Sequence, residues 1–293
     1  MARNRIKLGS LVKQVQTALD DKLAIGQSKH LDKLKGEAHK KIYSWETYHS
    51  YMKHCNYFVK YCKNEYNCRT LEECRPHVNE WLKTRNELSA YTQKLEASAL
   101  AKIYGCSTKD FIKTGVRKRA DITRSRGEKI RDRHFSEERH RELVQFCKST
   151  GLRRSELEAL TGDKLKEKNG SYFIKVDVGS KGGRKREAPV VNDVKLVVRK
   201  MNEAGTGRVF NKIPNGADIH AYRSYYCTSV YKLYERDVKS IDSKERYCCR
   251  GDLKGTWYDK KAMLVASNAL GHNRLSVIAE HYIRGGAEDG EGR

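Results

Sequence analysis

Hydrophobic positions in the first hundred residues recur at helical spacing. Leu11, Val15 and Leu19 share one face behind Ser10, which predicts a capped helix running to about Gly26. From Ser44 onward, Tyr48, Met52, Cys55, Phe58 or Val59, and Cys62 recur at steps of three and four, the period of a single buried stripe. Thr70-Leu71-Glu72-Glu73 has the form of a capping box, opening a helix whose apolar face is Val78, Trp81 and Leu82. Ser89 to Tyr104 is rich in Ala, Leu and Lys and stops at Gly105, a residue suited to a left-handed C-terminal cap. Only three prolines occur, at 76, 189 and 214, so little interrupts these helices. Residues 40–112 therefore read as a helical bundle, preceded by a basic, helical extension over 1–39.

The pattern changes at residue 113. Residues 113–133 hold nine Lys or Arg against three Asp or Glu, with almost no apolar periodicity, and the segment 113–135 reads as a basic interdomain linker. Beyond it, Ser136 predicts a helix through Leu143, Val144 and Cys147 to Gly151, followed by a short one over Ser155–Leu160. Strand-like runs follow the Asn169-Gly170 turn, over Tyr172–Val178 and Arg186–Val191, with Gly182-Gly183 between them. Helical signals return from Val194. The expected architecture is multi-domain: an all-α N-terminal bundle, then a mainly helical α+β domain over 136–284 with a small antiparallel sheet, and a flexible tail over 285–293.

Charge identifies the partner class. Sixty Lys and Arg against 37 Asp and Glu give a formal charge of +23 over 293 residues. A field of that sign captures polyanions, and released counterions supply sequence-independent affinity for nucleic acid. On that reading Lys113, Arg117, Lys118, Arg119, Arg124 and Arg126 of the linker lie along phosphates, a role compatible with a plain solvated tether. Charged residues interrupt every segment long enough to span a bilayer, and no signal-like run opens the chain, so an interior, membrane-free location is expected. The nine cysteines include no Cys-x-x-Cys pair, and they read as reduced packing residues rather than a zinc site.

Three short stretches carry candidate chemistry: Gly151-Leu-Arg-Arg-Ser-Glu-Leu157, His220-Ala-Tyr-Arg223, and Leu270-Gly-His272 with Tyr282 ten residues on. Cutting and rejoining a phosphodiester without water needs a nucleophile, cations for the non-bridging oxygens, a proton donor for the leaving oxygen and a proton acceptor. Arginine suits the cationic role, because its planar fork grips two phosphate oxygens and stays charged. Glu156, three residues after Arg153, is placed to pair with it, and His220 and Arg223 share a helix face. Lys181, flanked by glycines at the turn between the strands, can reach a leaving oxygen. The alternative treats Lys181 to Arg186 as a phosphate-binding patch including Arg184, Lys185 and Arg186, with Lys185 as the substitute acid. The amphipathic stretch Leu275, Val277 and Ile278 would present Tyr282 toward a pocket.

On these residues the second half resembles the tyrosine recombinases, the phage-integrase family of site-specific DNA recombinases. The family's first arginine motif matches Gly151 to Leu157, its hairpin lysine Lys181, its His-x-x-Arg His220 and Arg223, and its Leu-Gly-His and nucleophilic tyrosine His272 and Tyr282. The match is specific over about 137–284 and only architectural over the helical core-binding bundle before it. The resemblance implies a covalent 3′-phosphotyrosine link formed by Tyr282 and resolved by a 5′-hydroxyl, serving integration, excision or transposition of a mobile element. Arg153, Arg223 and His272 would stabilise phosphate charge, Lys181 would protonate the leaving oxygen and His220 would assist proton transfer. It further implies no cofactor, double-stranded DNA with a specific core site, two lobes closing on it as a basic clamp, and a tetramer on DNA. An accessory DNA-bending or directionality protein is a candidate partner, and the bacterial cytoplasm and nucleoid the expected location. Rival readings are a type IB topoisomerase and a non-catalytic DNA-binding protein. Two features depart from the family. The 52-residue gap between His220 and His272 implies a polar surface insertion over roughly 235–260, and the tail after Tyr282 has no large apolar residue to bury.

Overall fold

The computed structural model describes residues 9–118, 135–179, 185–283 and 287–288. The chain divides into two units, residues 1–121 and 122–293.

The first unit is helical. α1 (Leu11–Asp20) is capped by Ser10, whose hydroxyl accepts from the Lys13 N–H at 3.3 Å. It stops short of Gly26 because the chain turns back on itself. Ile42 N–H donates to Lys22 O at 2.7 Å and Ala24 N–H to Ile42 O at 2.8 Å, giving the backbone partners that a longer helix would have supplied. α2 (Lys29–Leu34), α3 (Trp45–Tyr66), α4 (Leu71–Cys74), α5 (Val78–Thr84) and α6 (Ala90–Tyr104) follow. The capping box at Thr70 and Glu73 forms, and Gly105 ends α6 in the left-handed conformation. Leu11, Val15 and Leu19 are buried in one core with Phe58, Trp81 and Leu100, where Phe58 meets Trp81 edge-on at 5.4 Å. The expected boundary after residue 39 thus cuts through a single packed unit.

The second unit begins with α7 (Arg141–Thr150) and α8 (Arg154–Glu158). α7 starts later than Ser136 predicts, because the Ser136 hydroxyl accepts from Arg139 N–H at 3.4 Å in a turn that precedes the helix. β1 (Leu165–Lys168), β2 (Ser171–Val176) and β3 (Arg186–Pro189) form an antiparallel sheet in sequence order, with Ile174 facing Leu165 on one side and Ala188 on the other. The sequence pattern does not predict β1, since Leu-Lys-Glu-Lys carries no alternation and three of its residues are exposed. α9 (Val194–Ala204) and α10 (Ile219–Tyr234) follow.

The expected surface insertion is built differently. It holds β4 (Arg246–Cys248) and β5 (Thr256–Asp259), which pair antiparallel, and it leads into α11 (Lys260–Leu270) and α12 (Leu275–His281). β6 (Ala287–Glu288), within the segment expected to be a flexible tail, pairs with β5 through Trp257–Ala287 and Thr256–Glu288. Cys249 and Tyr258 are buried in a core with Tyr226, Met263, Leu270 and Ile278, so the insertion contributes to the interior. Asp259 ties it to α11. Its buried carboxylate caps the helix at Lys261 N–H and accepts two guanidinium bonds from Arg236, each 2.8 Å. The cysteines are free thiols, most of them buried. Among the described residues no helix is long and apolar enough to cross a membrane.

α7 closes at Gly151 with φ +59°, and a Cβ there would lie 2.2 Å from the Tyr226 ring. Gly151→Ala combines left-handed strain with overpacking and is expected to cost about 3 kcal/mol of stability. Urea unfolding of the variant checks this; an unchanged midpoint contradicts the packing described.

Candidate active site

The left-handed turn at Gly151 reverses the chain and sets Arg153 at the start of α8. Glu156 lies one turn on and is buried. Its Oε2 accepts the Arg153 backbone N–H at 2.7 Å, and its Oε1 accepts Arg153 Nη1 at 2.8 Å. Arg186 of β3 grips the same carboxylate through both Nη groups, each at 2.7 Å, and its Nε donates to Ala269 O at 3.0 Å. Burial pushes the Glu156 carboxyl upward, but the Arg186 and Arg153 bonds outweigh it and bring the pKa down to about 2. The carboxylate is therefore charged at any working pH.

Arg223 enters from α10, buried, with Nη1 on Gly151 O and Nη2 on Leu270 O at 3.3 Å. Glu156 is 3.9 Å from it. Burial and the neighbouring guanidiniums make its charged form less favourable than usual. Three guanidiniums thus surround one carboxylate, leaving an excess of positive charge in a largely desolvated place. Such an excess is costly unless an anion joins it.

Tyr282 closes the site at the end of α12. Its backbone oxygen accepts Ser224 Oγ at 2.6 Å and Thr228 Oγ1 at 3.4 Å, from successive turns of α10. Its ring centre lies 5.6 Å from the Arg223 guanidinium carbon, 5.1 Å from the His220 ring and 5.3 Å from the His272 ring. The hydroxyl is 3.4 Å from His272 Nε2. His272 follows the left-handed Gly271, whose φ of +73° ends α11. Burial, then Arg223, Arg153, Arg186 and His281, lower the His272 pKa to about 4, so the imidazole is neutral at physiological pH and its ring nitrogen can accept a proton.

Comparison with known proteins places the fold. No family model and no curated protein matches the sequence. The fold, however, superposes on the XerH site-specific recombinase in a post-cleavage complex with its palindromic difH substrate. The TM-score is 0.55 at 15% identity, covering 92% of this chain and 91% of that one. The Tn1549 transposon integrase in complex with circular intermediate DNA is also similar, with a TM-score of 0.48 at 12% identity over 94% of this chain and 96% of that one. The chain has the tyrosine-recombinase fold.

Within that fold Arg153, Glu156, His220, Arg223, His272 and Tyr282 come together, as their order along the chain suggests. Arg186 departs from the expectation that groups it with DNA-contacting cations. Its side chain is only 5% exposed and is held by Glu156. Strand alternation carries the signal, since Arg186 shares its face with the buried Ala188 and Val190. Lys185 is exposed. Lys181 and Arg184 lie outside the described residues, as do Arg119, Arg124 and Arg126. The hairpin is rooted by Ser155 Oγ donating to Gly179 O at 2.7 Å, and a Cβ at Gly179 would come within 2.4 Å of Ser155 O. Lys113, Arg117 and Lys118 are exposed in the first unit, with the Arg117 guanidinium 5.5 Å from the Tyr91 ring centre.

The neutral His272 is directly measurable. In an NMR titration its imidazole should show a midpoint near 4, against 6.5 for an ordinary histidine. The unfolded chain takes up this proton first as pH falls, so the stability that neutral burial confers is present above pH 6.5 and is lost toward pH 4. A midpoint near 6.5 would contradict the electrostatics described.

Proposed function

We propose that this protein is a site-specific DNA recombinase that breaks and rejoins strands through Tyr282. The observation that carries the reading is Tyr282, whose hydroxyl is 3.4 Å from a neutral imidazole nitrogen and whose ring centre is 5.6 Å from the buried Arg223 guanidinium carbon. Pure DNA binding needs no such group.

In the proposed reaction Arg153 and Arg223 hold the non-bridging oxygens of a scissile phosphate, supplying the anion that balances the site's excess charge. The Tyr282 oxygen attacks phosphorus and its proton passes to His272 Nε2. His220, exposed beside the ring, assists proton transfer. The 5′ oxygen departs and takes a proton from Lys181, leaving a 3′-phosphotyrosyl ester. A 5′-hydroxyl of a partner strand then reverses these steps. The ester energy is conserved in the protein–DNA link, so strand joining draws on no nucleotide triphosphate. Exchange between two duplexes uses four such sites, and the working assembly is a tetramer on double-stranded DNA, acting in integration, excision or transposition of a mobile element.

Tyr282→Phe should retain duplex binding and form no covalent adduct with a nicked suicide substrate, read on a denaturing gel. An adduct that persists in this variant overturns the assignment. Arg153→Lys keeps the charge but loses the planar fork, and adduct formation should slow by about a hundredfold or more. Cleavage confined to one DNA sequence supports recombination, whereas relaxation of any supercoiled plasmid supports a topoisomerase.

A further inference from the structure

Arg186 has a place in the site that its surroundings define closely. Its side chain makes three supports on two separate stretches of chain. It binds both oxygens of Glu156, which in turn holds Arg153 by its backbone and its guanidinium. It donates to Ala269 O one residue before Leu270, whose carbonyl accepts Arg223. It also lies under Gly271, where a Cβ would come within 3.0 Å of Arg186 Cδ, so its aliphatic stem supports the turn leading to His272.

We propose that Arg186 is a positioning residue for strand cleavage, acting through Glu156 on Arg153 and through the end of α11 on His272. This rests on the strand-cleavage reading above. The three supports converge on one buried cation, and its loss leaves Glu156 with a single full partner and frees the Ala269–Gly271 turn. The reacting groups then lose their mutual geometry, and misplacement of about 1 Å costs roughly a hundredfold in rate. DNA affinity should change little, because a buried guanidinium with these partners contacts no phosphate.

The electrostatic part is separable. His272 faces Arg223 of α10, Arg153 at the start of α8, Arg186 of β3, and His281 and Tyr282 at the end of α12. Arg186 is one of the cations that disfavour its protonation. Removing that charge should raise the His272 titration midpoint, and a lysine in its place should leave the midpoint close to that of the parent while failing to restore the fork.

The test uses full-length Arg186→Gln and Arg186→Lys. Expected for Arg186→Gln is about a hundredfold slower adduct formation at saturating DNA, an affinity within about twofold of the parent, and a His272 NMR midpoint displaced upward in the DNA-free protein. Arg186→Lys should show slowed cleavage with little displacement of the midpoint. If Arg186→Gln does not fold, Arg186→Lys decides alone: cleavage at the parent rate overturns the proposal. It is also overturned if Arg186→Gln cleaves at the parent rate when saturated but binds more weakly with a salt slope reduced by about one, the behaviour of a phosphate contact. Parent-like rate and midpoint together would make Arg186 a packing residue only. Failure of the parent protein to form any adduct would instead reject the strand-cleavage reading, while the NMR midpoint still reports on Arg186.

Discussion

One buried carboxylate organises this molecule's second unit. Glu156 accepts from Arg153 and from both arms of Arg186, and it sits 3.9 Å from Arg223. Isolated in the interior, such a carboxylate would be strongly unfavourable, and so would each arginine. Together they hold one another in place, and because guanidinium geometry is planar and directional, they also fix the elements that carry them. α8, β3, α10 and the end of α11 meet here for that reason.

The charges at this centre do not cancel. Backbone oxygens of Gly151 and Leu270 take up Arg223 where a second carboxylate could have stood. Carbonyl dipoles orient the guanidinium without neutralising it. That charge stays available to an anion, and burial together with the positive field keeps the neighbouring imidazole uncharged and able to accept a proton. Arrival of an anion changes both conditions together, since it satisfies the arginines and makes protonation of His272 more favourable.

The elements around this centre serve its alignment. Ser224 and Thr228 hold the backbone of Tyr282 against α10, one turn and two turns beyond His220 on the same helix. The insertion before α11 is stitched to that helix through Asp259, at the end opposite the one bearing Ala269 and Leu270. It also shares the core in which α12 is packed. A segment that reads as polar surface in sequence therefore supports the scaffold under Tyr282.

Much of this is legible in the order of residues alone. Helical stripes, the caps at Ser10 and Thr70, and the stops at Gly105 and Gly151 follow from local chemistry, because each depends on residues within a turn or two of one another. So do Arg153, His220, Arg223, His272 and Tyr282, whose order and spacing are properties of the chain itself. What a linear chain does not display is partnership across distance. Arg186 stands thirty residues from Glu156 and eighty-three from Ala269, and among basic neighbours it reads as one more DNA contact. β4, β5 and β6 are too short and irregular to announce themselves, and only their pairing with one another makes them strands. Partnership decides the remainder: Arg186 commits its fork to a carboxylate and braces the site, whereas Arg223, just as enclosed, is held by carbonyls and keeps its charge, and only tertiary packing determines which.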